Sequence, residues 1–103
     1  MPSSESTVYL ITGANRGIGL GLVRKLLEDK DAVVFAGARD PSSANELKDL
    51  ASASPDRLYL VKINSGSVED AKAVAAEIEA KAGKLDVLIA NAGESIGIDL
   101  KLS

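Results

Sequence analysis

The sequence predicts an α/β fold, a parallel sheet wound β-α-β-α-β-α-β with strand order 3-2-1-4. Three observations carry this. The apolar runs Val8 to Ile11, Ala32 to Ala38, Leu58 to Ile63 and Leu85 to Ala90 do not alternate with polar residues, as expected of parallel strands covered on both faces. Between them lie segments with helical spacing and short links, which imply right-handed crossovers. The first strand ends in a glycine turn, Gly13, Gly17 and Gly19, that leads straight into a helix, as in one mononucleotide-binding half of a doubly wound sheet.

Each element follows from its residues. In the stretch Thr7 to Val23 the glycines let the chain turn sharply, let a ligand approach bare backbone, and let helix pack on strand without a Cβ between them. The free N–H groups of the following first turn favour a phosphate. The pattern is G-x-x-x-G-x-G with no Gly-Lys-Ser/Thr, which argues against a nucleoside-triphosphate loop. Ile18, Leu22, Val23, Leu26 and Leu27 give the first helix an apolar face, with Lys25, Glu28 and Lys30 opposite. Strand two stops at Arg39-Asp40-Pro41. Ser43 with Glu46 reads as a capping box for a short helix carrying Leu47, Leu50 and Ala51, and Ser54-Pro55-Asp56 ends it. After strand three and the loop from Asn64, Ser67 and Asp70 open a third helix through Val68, Ala71, Val74, Ala75 and Ile78, which stops at Gly83. Strand four closes the series. Ligands of such sheets bind outside the carboxyl ends of the strands where the order reverses, here between strands one and four. Gly13 to Gly19 and Asn91-Ala92-Gly93 are placed at those two ends.

The composition narrows the chemistry. With 103 residues, 46% hydrophobic, and net charge −3, the chain suits one small domain with a core. It has no cysteine and no histidine, which removes disulfides, thiol nucleophiles, Ser-His-Asp mechanisms and the usual zinc sites, and no metal site is expected. Without a basic stripe, nucleic acid is a poor partner. No apolar run reaches the roughly 20 residues that span a bilayer. The polar start MPSSEST matches neither a secretory signal nor a transit peptide, so a cytoplasmic location is expected.

Two motifs together are specific. TGANRGIG (Thr12 to Gly19) resembles the cofactor turn of the short-chain dehydrogenase/reductase family, and NAG (Asn91 to Gly93) after strand four resembles its second signature. More narrowly, TVYLITGANRGIGLGL, NSGS (Asn64 to Ser67) and IANAG are similar to the fungal norsolorinic acid ketoreductase branch, whose members reduce a ketone on an aromatic polyketide. The resemblance covers Thr7 to about Gly93. It implies a partial Rossmann fold, a domain over residues 1–93 that binds NAD(P), and a tail over 94–103 unlike the family, with the chain truncated before the catalytic half.

The resemblance also assigns roles. Gly13, Gly17 and Gly19, with the backbone of Asn15, Arg16 and Ile18, are similar to the pyrophosphate cradle, and Thr12 would brace the turn. Arg39 ends strand two, after Ala38, where an enzyme specific for NAD would carry an acid for the ribose hydroxyls. An arginine fork suits a 2′-phosphate instead, and Arg16 would approach the same group, so NADP (NADPH) is the expected cofactor. Asn64 stands where most of the family has an aspartate facing the adenine amino group; its amide oxygen can accept the same bond, although a plain loop-turn role is the alternative. Ile63 would flank the adenine. Asn91, Ala92 and Gly93 resemble the stretch under the cofactor's ribose, or they merely terminate strand four.

The family's chemistry needs a Tyr-x-x-x-Lys pair and a serine, and no catalytic residue is assigned here. The two tyrosines are Tyr9 and Tyr59, both inside strands; Lys62 follows Tyr59 by three positions, and Ser95 follows Asn91 too closely. The expected function is therefore the cofactor-binding part of an NADP-dependent carbonyl reductase, inactive alone. It would meet a carbonyl substrate only together with a C-terminal half. The alternatives are a non-catalytic nucleotide- or partner-binding module and an interaction domain with a relic turn. Strand four would be an open edge, inviting self-association. The alternating Ile96, Ile98, Leu100 and Leu102 suggest that the tail folds back to cover it.

Overall fold

The computed structural model describes residues 6–14, 17–64 and 67–90. Strands β1 (Thr7–Thr12), β2 (Ala32–Ala38), β3 (Leu58–Lys62) and β4 (Val87–Ala90) form one parallel sheet in the order β3-β2-β1-β4, as the sequence implies. Helices α1 (Gly17–Leu26), α2 (Asn45–Ala53) and α3 (Val68–Lys81) make the crossovers.

Burial on both faces explains the unbroken apolar runs. All seven residues of β2 are buried. On one face Ile11, Val34, Ala36 and Leu58 pack with Leu20 and Val23 of α1 and Leu47 of α2. On the other, Val8, Leu10, Val33, Phe35 and Val61 pack with Val74 and Ile78 of α3. The register sets this sidedness, since Leu10 pairs with Phe35 and Phe35 with Tyr59, so these three share a face. Phe35 and Tyr59 stack with ring centroids 5.1 Å apart, and Lys81 Nζ lies 4.7 Å from the Tyr59 centroid. Tyr59 is thereby a packing residue, and Tyr9 packs against the opposite layer.

Several local expectations need correction. The capping box of Ser43 and Glu46 does not form. Pro41, with its fixed φ, starts a 3-10 turn over Pro41–Ser43, in which the Ser43 hydroxyl donates to the Asp40 carbonyl, and Ala44 becomes the N-cap of α2 without a side-chain bond. Glu46 instead pairs with Arg24 of α1 at 2.7 Å, an exposed contact worth at most about 1 kcal/mol. Ile18 is not on the buried face of α1 but 77% exposed, because the helix begins at Gly17 and its buried positions are Gly19, Leu20 and Val23. Val68, in the first turn of α3, is likewise exposed. Strand three ends one residue early, at Lys62, and β4 starts at Val87, two residues late.

The late start of β4 has a cause in Asp86. Its N–H donates to the Val8 carbonyl at 2.9 Å while its carboxylate accepts the Val8 N–H at 2.8 Å, so a side chain takes the place of the ladder there. Lys84 pairs with the same carboxylate at 3.3 Å and donates to the Ser6 carbonyl. Arg57 makes a second clamp, between α1 and the sheet. Its guanidinium donates to the carbonyls of Leu27 (2.5 Å), Asp29 (2.6 Å) and Ala32 (3.3 Å) beyond the end of α1.

Candidate functional site

The carboxyl ends of three strands are tied together through β2. Past the end of β1 the Ala14 N–H donates to the Gly37 carbonyl, and past the end of β3 the Ile63 N–H donates to the Ala38 carbonyl, each at 3.0 Å. The glycine turn, Arg39 and the segment Ile63–Asn64 therefore rise from one rim. On the other side of β1, Thr12 pairs with Ala90, which sets the end of β4 beside the glycine turn at the reversal of strand order.

Gly13 and Gly17 both sit at φ 61°, a conformation that L side chains rarely adopt, and a Cβ on Gly17 would meet nothing within 4 Å. Gly19 is buried. The two long helices differ at their first turns. In α3, Ser67 Oγ accepts the Asp70 N–H at 3.1 Å, and Glu69 and Asp70 lie in the first turn. The first turn of α1 carries no acidic residue, its last turn carries Arg24 and Lys25, and Ile18 stands out into solvent. Of the two ends, that of α1 presents a positive field to an incoming anion.

Arg39 is exposed directly after β2. Its neighbour Asp40 is turned back into the 3-10 turn by the Ser42 hydroxyl, which donates to Oδ1 at 2.5 Å. That bond, above all, holds the Asp40 carboxyl below its ordinary value, with the field of Lys62 adding to it. Lys62, exposed and paired in register with Ala38, is a cation that sequence spacing relates only to Tyr59. Register places it opposite Ala38, the residue before Arg39.

Asn64 is fixed from below. Its backbone N–H and its side-chain Nδ2 both donate to Asp70 Oδ2 at 2.8 Å. The Asp70 carboxylate thus reaches Asn64 rather than completing a capping box with Ser67, and the Asn64 side chain keeps its carbonyl Oδ1 as an acceptor. Ile63 is 6% exposed, under this segment. Asn15, Arg16, Asn91, Ala92 and Gly93 lie outside the described residues, as does the tail 94–103.

A 3-2-1-4 parallel sheet with a glycine turn at its switch point is a partial dinucleotide-binding fold of the Rossmann type. The model of the short chain dehydrogenase family matches residues 7–101, and the chain belongs to that family. It is 45% identical over 92 residues to the short-chain dehydrogenase RED3 of Pyricularia oryzae, covering 87% of this chain and 37% of that protein. It is 41% identical over 91 residues to the norsolorinic acid ketoreductase of Aspergillus parasiticus, covering 85% of this chain and 34% of that one. The crystal structure of an NADPH-bound carbonyl reductase from chicken fatty liver superposes with a TM-score of 0.76 at 42% identity, over 90% of this chain and 36% of that one. The chain thus spans little more than a third of the length of the relatives it matches.

Proposed function

We propose that this chain is the cofactor-binding part of an NADPH-dependent carbonyl reductase. The observation that carries the reading is the end of β2. Where an NAD site would carry an acid, Arg39 stands exposed, Lys62 is paired in register with the preceding Ala38, and the neighbouring Asp40 is held back by Ser42. Two cations and a withdrawn acid favour a 2′-phosphate over a pair of ribose hydroxyls.

The described residues fit the rest of a dinucleotide. Gly13 and Gly17 supply the positive-φ backbone of the turn and Gly17 puts no side chain at the start of α1, so the backbone N–H groups of Asn15, Arg16, Gly17 and Ile18 would hold the pyrophosphate. Arg16 would join Arg39 on the 2′-phosphate. The Asn64 Oδ1 would accept from the adenine amino group, with Ile63 beneath the ring, and Asn91, Ala92 and Gly93 would pass under the ribose. When bound, NADPH supplies a hydride to a carbonyl carbon. The identity to a norsolorinic acid ketoreductase suggests a ketone on an aromatic polyketide as the substrate class.

The chain by itself is expected to bind without turning over a ketone. Its tyrosines, Tyr9 and Tyr59, are packed in strands, and neither begins a Tyr-x-x-x-Lys motif that would deliver the proton. The same observation favours a second reading, a non-catalytic dinucleotide-binding module. In a fluorescence titration the chain should bind NADPH more tightly than NADH; equal or tighter binding of NADH contradicts the reading. With a ketone present, NADPH consumption that scales with purified chain and vanishes in Gly17→Val would contradict the expected inactivity.

A further inference from the structure

Gly37 lies in the middle of the rim yet has no part in the glycine turn. Its backbone is that of β2, so neither a turn nor a positive φ calls for glycine. What calls for it is space. A Cβ there would stand 2.7 Å from Ile63 Cγ2, 3.3 Å from the Ile11 carbonyl oxygen and 3.6 Å from Thr12 Cα. Real Cβ atoms do not approach a carbon to 2.7 Å, so a side chain at 37 forces a neighbour to move. At Gly17, Gly21 and Gly83 a Cβ would meet nothing within 4 Å.

Which neighbour moves is decided by how each is held. Ile11 and Thr12 belong to β1, which is paired on both sides, to β2 and to β4. Ile63 lies past the last residue of β3, tied to the sheet by its N–H to the Ala38 carbonyl. Ile63 therefore yields, and Asn64 follows it directly in the chain. We propose that Gly37 is a positioning residue for the adenine end of the dinucleotide: its missing side chain lets Ile63 sink against β2 and so sets the height of Ile63 and Asn64. This inference rests on the dinucleotide reading above. It adds that the depth of the adenine subsite is fixed from the strand beneath, by a residue that does not touch the ligand. Arg39, two residues further along the chain and past the end of β2, is outside this contact, so NADPH and NADH should lose affinity together.

A double-variant cycle tests it. NADPH and NADH are titrated, with fluorescence readout, into the unmodified chain, Gly37→Ala, Ile63→Ala and the double variant, and the circular dichroism and Tm of each are recorded. Gly37→Ala should weaken both dinucleotides about tenfold and leave their ratio unchanged. Ile63→Ala removes the crowded methyl, so the double variant should bind like Ile63→Ala alone. Unaltered binding by Gly37→Ala, single losses that multiply in the double variant, or a shifted NADPH/NADH ratio would each overturn the inference while the dinucleotide reading stands. If Gly37→Ala alone does not fold, Ile63→Ala and the double variant decide: equal affinities support the route through Ile63, and unequal ones overturn it. If the unmodified chain binds neither dinucleotide, both readings fall.

Discussion

Arg39 and Gly17 carry single-residue consequences that can be measured separately. Arg39→Asp places a carboxylate where a 2′-phosphate would sit and offers an acceptor to a ribose hydroxyl, so the preference between NADPH and NADH should reverse. A titration in which the variant keeps the original preference would remove Arg39 from the site. At Gly17 the cost is conformational, because φ is 61° while nothing stands within 4 Å of a Cβ. Gly17→Ala should therefore lower stability by about 1–2 kcal/mol through backbone strain, read from the urea midpoint at constant slope. An unchanged midpoint would mean that the turn relaxes. Gly37, by contrast, was not legible as a special residue. A glycine inside an apolar run only weakens a strand forecast, and nothing local says that Ile63, far along the chain, will lie over it.

Among the elements, the legible ones were those whose signal is tertiary burial. The bounds Ala32–Ala38 of β2 were read in full because both faces are covered and every position is apolar. Helix ends were less legible. Ser43 and Glu46 have capping-box spacing, but Pro41 commits the chain to a 3-10 turn first and Arg24, from a distant helix, takes Glu46. Ile18 has the spacing of a core residue, yet the helix starts only at Gly17 and leaves it in the open first turn.

The start of β4 escaped the sequence because Asp86 looks like an interruption and acts as a ladder partner. Its carboxyl is held below the ordinary value of 3.8, chiefly by the Val8 N–H, then by Lys84, against some desolvation. A depressed folded value means that Asp86 stabilises the fold above the unfolded value and ceases to as the pH falls through the folded one. The Tm should drop on acidification below about pH 3.8, and Asp86→Asn should show a smaller drop from a lower starting Tm. Equal drops would show that Asp86 is not the linked group. Arg57→Ala removes donors to three carbonyls beyond α1 and should cost about 1–3 kcal/mol in urea denaturation. A loss under 0.5 kcal/mol, the scale of ordinary surface changes, would show that solvent replaces the clamp.

At the scale of the whole molecule the strand order leaves β4 at an edge of the sheet. Among the described residues β4 pairs with β1 on one side only, and Leu88 is 42% exposed. An apolar edge of this kind recruits further strands. A version ending at Gly93 lacks the alternating Ile96, Ile98, Leu100 and Leu102, and should elute from size exclusion as larger species or melt at a lower temperature than the intact chain. Two monomers of equal Tm would remove the edge argument.

A dinucleotide site across the carboxyl ends of β1, β2 and β3 has its control in the sheet itself, whose opposite end carries the Asp86 and Lys84 contacts. The most direct measurement is a heteronuclear NMR titration of the labelled chain with NADPH. Shifts should concentrate at the amides of Gly13, Gly17, Ile18, Arg39, Ile63 and Asn64, while those of Val8, Asp31, Lys84 and Asp86 stay in place. Saturable shifts confined to the Asp86 end, or none anywhere at ligand excess, would contradict it.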